Sequence, residues 1–473
     1  MISIFRPAIS LLMGLALAPS LFAQSPTHMH TLNNGLKVLI KEDHRAPLVA
    51  VQVWYAVGSV DEAEDKLGIS HVLEHMMFKG TVRVPDNELK LLNASYGGHL
   101  NAITTPNYTY YYQTLPKDYL NLALELEADR MSGLHLKQRD FTTEIQVVME
   151  ERRQRIDDNP QSLAFEVFRY AAYPQSRYQN PVIGSMDTLN NIKLKDLQHW
   201  YNQWYAPNNA TVVVVGNMNP TQTLTQIQRY FGDIQPVSLP PRKAITHPTD
   251  IGYRHVDIDS QTQVANLYMA WNVPSLVTAQ DIKDPYRLSL LRHILNGQIS
   301  SRLNRILIKE QKKLAAVNVS YDMLQRGDTL FIITAVPNPN VSLKQAQMAI
   351  QHVLNDLAQQ PLSVDELERI RISVLAELIY HQDTLNAQAQ LLGNAAINQF
   401  NPNFISSLPQ HYKDINNDDI QKIITQYFKS TNLTTLYMQS EQQRAFAQSE
   451  DQIPQIKNEA PPTVPNATPL EGQ

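Results

Sequence analysis

GISHVLEHMMFKGT, residues 68–81, places His71, Glu74 and His75 within five positions. On an α-helix, residues four apart differ by about 40° and about 6 Å, so the two imidazoles face the same way. At that spacing they can hold one ion at about 2.0–2.1 Å from each nitrogen. Glu74, next to His75, can reach a water on such an ion without being a ligand itself. The order H-x-x-E-H inverts the commoner H-E-x-x-H zinc motif. The competing reading is an amphipathic helix with these polar residues on its wet side. One helix cannot decide, because a catalytic zinc needs three protein ligands and an open position.

FTTEIQVVMEERRQRI, residues 141–156, is the best source of a third ligand. It reads as a helix carrying Glu144, Glu150 and Glu151. Glu144 and Glu151, seven apart, share a face but are separated by about 10.5 Å along the axis. Both cannot bind one ion directly. Glu150 is turned about 100° from Glu151, toward solvent. Spacing alone leaves Glu144 and Glu151 as alternatives.

Around these helices the pattern alternates between strand and helix periods. Apolar alternation through Leu36, Val38 and Ile40, then Val49, Val51, Val53 and Tyr55, predicts two strands before the opening motif. DNELKLLNASYG predicts a helix, HLNAITTPNYTYYYQTLP a strand pair, and residues 119–154 further helices. ATVVVVGNM (210–218) is a fully buried strand by its continuous apolar run, and TQTLTQIQRYFGDI the helix after it. PVSLPPRKAITHP (236–248) is the candidate linker. Beyond it the order repeats: TQVANLYMAWNVPS resembles the early strand, DPYRLSLLRHIL the helix after it, and NLTTLYMQS the late strand. The repeated helix lacks the histidine pair, so only the first half can hold the metal.

The chain has 473 residues, too many for one core, with 43% hydrophobic and 18% charged residues. A net charge of −5 gives no reason to expect a nucleic-acid partner. There is no cysteine, which excludes disulfides, thiolate metal sites and cysteine nucleophiles. Residues 1–23, with Arg6, an apolar run and small residues before Gln24, read as a signal peptide cut after Ala23. The run is too short for a membrane span and contains Pro19. No other segment is long and apolar enough for one. The expected location is outside the cytoplasm, in the periplasm of a Gram-negative source. Residues 447–473, proline-rich and polar, are expected to form a disordered tail.

The chain resembles the M16 family of zinc peptidases (pitrilysin, insulinase, mitochondrial processing peptidase), in its half-length, two-domain form. HVLEHMMFKGT carries most of the likeness. LNNGLKVL, GGHLNAITTPNYTYY, NPVIGS (180–185) and WYAPNNATVVVVGN (204–217) support it in the expected order. The resemblance implies an α+β fold of two similar α/β-sandwich domains, each a mostly antiparallel sheet with helices packed on one face. The catalytic zinc-binding domain would span 24–238 and the homologous non-catalytic domain 239–446. In the family the third ligand is a glutamate 76 residues after the second histidine, with a supporting glutamate seven before it. That selects Glu151 as the zinc ligand beside His71 and His75, and Glu144 as its support. One zinc per chain is implied, with Glu74 as general base in peptide hydrolysis.

The resemblance also implies that an extended peptide pairs with the strand near Asn101 and Ala102. Each tyrosine of the Tyr108, Tyr110, Tyr111 and Tyr112 run is at least as well explained by strand packing. Asn107 stands where many relatives have aspartate. Active members commonly use an arginine and a tyrosine, seven apart, from the second type of domain. Here Lys309 and Ala316 align at those places, and lysine lacks arginine's planar fork. The expected partner is therefore a non-catalytic homologue, as a heterodimer. The alternative is a homodimer using Arg302 or Arg305 with Tyr321. A scaffold or chaperone-like subunit, or a peptidase dedicated to one precursor, are the competing functions.

Overall fold

The computed structural model describes residues 25–441, apart from 86, 87, 243, 244, 246–250, 298, 299, 381 and 403. The expectations for residues 1–23 and 447–473 lie outside the described residues, as does part of the linker.

The strands are β1 (Thr27–Thr31), β2 (Lys37–Glu42), β3 (Leu48–Tyr55), β4 (His99–Thr104), β5 (Thr109–Pro116), β6 (Ala210–Gly216), β7 (Arg254–Asp259), β8 (Asn266–Val273), β9 (Leu314–Ser320), β10 (Thr329–Pro337) and β11 (Leu433–Gln439). The first six form one sheet in the order β1-β2-β6-β3-β5-β4, and the rest a second sheet in the order β7-β11-β8-β10-β9. All pairings are antiparallel except β2 with β6 and β7 with β11. β6 lies between β2 and β3 and is buried along its whole length, as its unbroken apolar run requires.

The second sheet repeats the first. β7, β8, β9, β10 and β11 take the places of β2, β3, β4, β5 and β6, and β1 is an addition at the edge. Sequence periodicity did not reveal β1, whose five residues alternate poorly and are half-exposed or exposed. In the first half, Val38, Ile40, Val51 and Val53 point into a core completed by Leu73, Leu124, Leu197 and Ile227 from its helices. In the second half, Leu267, Met269 and Phe331 meet Leu291, Ile350 and Ile423.

Each half therefore packs its own helices on one face of its sheet. The opposite faces are covered reciprocally. Helix Leu385–Ile397, from the second half, lays Ala389, Leu392 and Ala396 on Ala50, Trp54 and Val213 of the first sheet. Helix Pro160–Ala172, from the first half, lays Ala164 and Phe168 on Tyr268, Ala270 and Leu436 of the second. The approach at Trp54 is so close that a Cβ on Gly393 would lie 2.2 Å from its ring. Burying both sheet faces this way makes the halves depend on each other.

The tyrosine run of β5 is strand packing. Tyr111 is buried against Tyr55 and Tyr205, while Tyr110 stacks on Trp54 with ring centroids 4.1 Å apart. Asn107 has a structural place: buried, it accepts a 2.7 Å hydrogen bond from the Tyr178 hydroxyl, which in turn accepts from the Gly327 N–H at 3.0 Å. That chain of contacts joins the two halves.

Candidate metal centre

Helix Ile69–Met76 begins at Gly68, whose φ of +94° is left-handed and suits glycine. A Cβ there would lie 2.6 Å from the Ile183 carbonyl oxygen, and one on Gly184 would lie 2.3 Å from that of Leu67. The two glycines let the NPVIGS segment touch the start of the helix. The buried Glu62 side chain then accepts from the N–H groups of Gly68 at 2.7 Å and Ser70 at 2.9 Å. These otherwise unpaired amide donors at the helix start are thereby satisfied.

From this anchored helix, His71 and His75 project toward helix Gln138–Arg152, their rings 4.8 Å apart. Glu151 reaches both: its Oε2 lies 3.2 Å from His75 Nε2 and 3.9 Å from His71 Nε2. Among the described residues, His71, His75 and Glu151 form the one group of three whose donor atoms lie within 4.8 Å of each other. Glu144 instead meets the far side of the His75 ring, 3.0 Å from Nδ1, and also holds Lys79. The two glutamates thus bracket one imidazole, as their separation along the helix demands. Glu150 is exposed and binds Arg153 and Gln154.

Glu74 is buried, with Oε2 accepting a 2.5 Å hydrogen bond from the Thr104 hydroxyl at the end of β4. Burial raises its pKa, which favours holding a proton in turn. Burial, and then the neighbouring His75, lowers the His71 pKa to about 4, so this ring is neutral at pH 7. Burial also acts to lower His75, but its bonds to Glu144 and Glu151 outweigh it and raise the pKa to about 9. The Arg155 guanidinium takes the other Glu151 oxygen at 2.7 Å.

These residues fit a zinc ion. Two imidazoles and a carboxylate are a known catalytic donor set, and a neutral ring is the ligating form. The His71 Nδ1 atom is buried with no hydrogen-bond partner, so this ring is held by packing and its neighbours rather than by a polar network. The 3.2 Å between His75 and Glu151 donors is close to the edge of a tetrahedron with bonds of about 2.0–2.1 Å.

The predicted substrate strand lies beside this centre. Ala102, Ile103 and Thr104 share a cleft of about 370 Å³ with His71, Glu74 and Glu151. β4 ends its sheet, and Asn101 is exposed on it while Ala102 is buried. The Asn101 Oδ1 accepts from the Ala102 N–H at 2.9 Å. Sequence reasoning missed Thr104, Lys79 and Arg155. Lys79 and Arg155 each sit four residues beyond a site residue, a helical spacing that flags such pairs.

The comparisons agree with the geometry. Residues 37–186 match a family model described as insulinase (peptidase family M16), and residues 191–374 one described as peptidase M16 inactive domain. The zinc protease PqqE of Helicobacter pylori is 30% identical over 430 residues, covering 89% of this chain and 95% of that protein. The chain belongs to the M16 peptidase family. An M16-like fold is also seen in the crystal structure of a protease from Helicobacter pylori, with TM-score 0.82 and 28% identity over 88% of this chain and 100% of that one. The first half of the periplasmic protease PqqL from Escherichia coli shares the fold, with TM-score 0.76 and 20% identity over 89% of this chain and 94% of that one.

All three donors lie within the span that matches the insulinase model. In the span matched by the inactive-domain model, helix Asp284–Asn296 takes the place of the histidine helix. There Arg292 lies 3.2 Å and His293 3.3 Å from Glu377.

Proposed function

We propose that this chain is a zinc-dependent endopeptidase acting on short or unfolded peptides, and the catalytic subunit of a dimer. The observation that carries this reading is the convergence of His71, His75 and Glu151 beside a buried Glu74 on one cleft. Bound by those three residues, one zinc per chain supplies Lewis acidity toward the attacking water and the scissile carbonyl. Glu74 takes the proton from the water and delivers it to the leaving amine, with the Thr104 hydroxyl holding its position. Glu144 fixes the tautomer and direction of His75 through Nδ1. An extended peptide adds to the free edge of β4 near Asn101 and Ala102, where main-chain bonds read shape more than sequence.

Glu74→Gln is expected to keep stoichiometric zinc and to lower kcat by roughly 10²–10⁴-fold. Metal analysis alongside a peptide assay checks this, and a variant with wild-type turnover would remove Glu74 from the mechanism.

The partner reading rests on the second half. The family resemblance aligns Lys309 and Ala316 with an arginine and a tyrosine that active members commonly use. The residues of the homodimer alternative are engaged elsewhere: Arg302 binds Glu366 at 2.6 and 2.7 Å, Arg305 binds Glu310, and the Tyr321 hydroxyl donates to the Pro274 carbonyl at 2.7 Å. A non-catalytic homologue supplying these groups is therefore favoured. Purification from the native host should recover it, and full activity of the chain alone would exclude it. No helix among the described residues is long and apolar enough to cross a membrane. Export, to the periplasm in a Gram-negative source, is supported by the character of residues 1–23.

A further inference from the structure

The cleft beside the metal centre extends away from it between two walls. One is a face of helix Pro160–Ala172 formed by Ser162, Phe165, Glu166 and Arg169, at helical spacing. The other is the Pro181, Val182 and Ile183 segment. The second wall is apolar, while the helix wall sets Phe165 beside one carboxylate and one guanidinium whose contacts differ.

Each carboxylate on this cleft already has partners. Glu166 accepts from Arg152 through both oxygens, at 2.8 and 3.0 Å. Glu151 meets His75 and Arg155, and Glu74 accepts from Thr104. Arg169 differs. Its Nη2 donates to the Tyr178 carbonyl oxygen at 2.6 Å, and no described carboxylate forms an ion pair with it. Burial lowers its pKa, though a guanidinium keeps its charge at neutral pH. Glu166 acts on Arg169 electrostatically but spends both oxygens on Arg152, so the Arg169 guanidinium has no described carboxylate in direct contact.

We propose that Arg169 is the specificity residue of this cleft and selects a carboxylate carried by the peptide substrate. The inference rests on the peptidase reading. Phe165 and the apolar Pro181, Val182 and Ile183 segment would seat the methylenes of an aspartate or glutamate side chain, or of a C-terminal residue, while the planar guanidinium takes the carboxylate in charge-assisted bonds. A site built around such bonds discriminates strongly against a substrate lacking the charge.

The test uses the full chain as purified from its host. One peptide scaffold is prepared with Glu, Gln or Lys at each position flanking the scissile bond, with free or amidated C-termini. Wild-type kcat/KM is expected to favour one acidic placement over its amide by roughly 10- to 100-fold. Preference that survives C-terminal amidation assigns the carboxylate to a side chain, and preference that needs a free terminus assigns it to the chain end. In Arg169→Gln the ratio should fall toward one, and Arg169→Glu should favour lysine. Equal cleavage of Glu, Gln and Lys peptides by the wild type would overturn the proposal even if no variant folds. So would selectivity that persists in a zinc-loaded Arg169→Gln. Binding of the same peptides to Glu74→Gln separates the two readings: charge-selective binding without wild-type cleavage would keep the anion site and remove the peptidase.

Discussion

His71 and His75 are the same residue type one turn apart, yet their proton affinities are driven in opposite directions. The difference is one of neighbours: His71 has a buried, unbonded Nδ1, while His75 is bracketed by Glu144 and Glu151. A metal needs both rings neutral, and a carboxylate on Nδ1 orients the second while raising its basicity as a ligand. Glu144→Gln keeps an acceptor but loses the charge that faces His75 and Lys79. Its zinc affinity is expected to fall roughly 10- to 100-fold, as read by competition with a chelating dye. Unchanged affinity would make Glu144 a bystander.

The histidine helix is only eight residues long, below the length at which an isolated helix is stable in water. Its ends must be held by tertiary contacts, and its N-terminus is held by Glu62 and by the Gly68–Gly184 approach. Gly68→Ala would force a Cβ into a left-handed residue and against the Ile183 carbonyl. A loss of at least about 2 kcal/mol is expected. Denaturant unfolding measures it, and zinc retention should fall with it because both histidines move. Strand β5 teaches a related lesson. Its three consecutive tyrosines suit a recognition surface by composition, but alternation sends Tyr111 into one core and Tyr110 under the exchanged helix.

Between the two halves, cohesion comes from the exchanged helices and from a few buried polar contacts. Asp61, with its side chain 2% exposed, receives both terminal nitrogens of Arg326 at 3.0–3.2 Å. Arg326→Ala would take the ion-pair partner from that carboxylate, leaving the Gly58 N–H at 3.2 Å, and is expected to cost about 3–5 kcal/mol. Adding Asp61→Asn should recover part of the loss, a coupling that a double-mutant cycle of thermal or urea unfolding reads directly. Additive effects would mean that the pair does not act as a unit.

By itself, the amino-acid sequence determined what short-range periodicity can encode. The histidine pair on one helix face, the buried β6, the strand pair β4–β5, the solvent-facing Glu150 and the repeated element order were all legible because each depends on residues close in the chain. It narrowed the third ligand to two glutamates and could go no further without the family resemblance. Only the tertiary structure decided which glutamate meets which side of His75, that Asn107 ties the halves through Tyr178, and that Arg302 and Tyr321 are engaged elsewhere. It alone revealed that each sheet borrows a helix from the other half. Those outcomes depend on contacts between residues as many as several hundred positions apart, and no local pattern of hydrophobicity or charge specifies such a meeting.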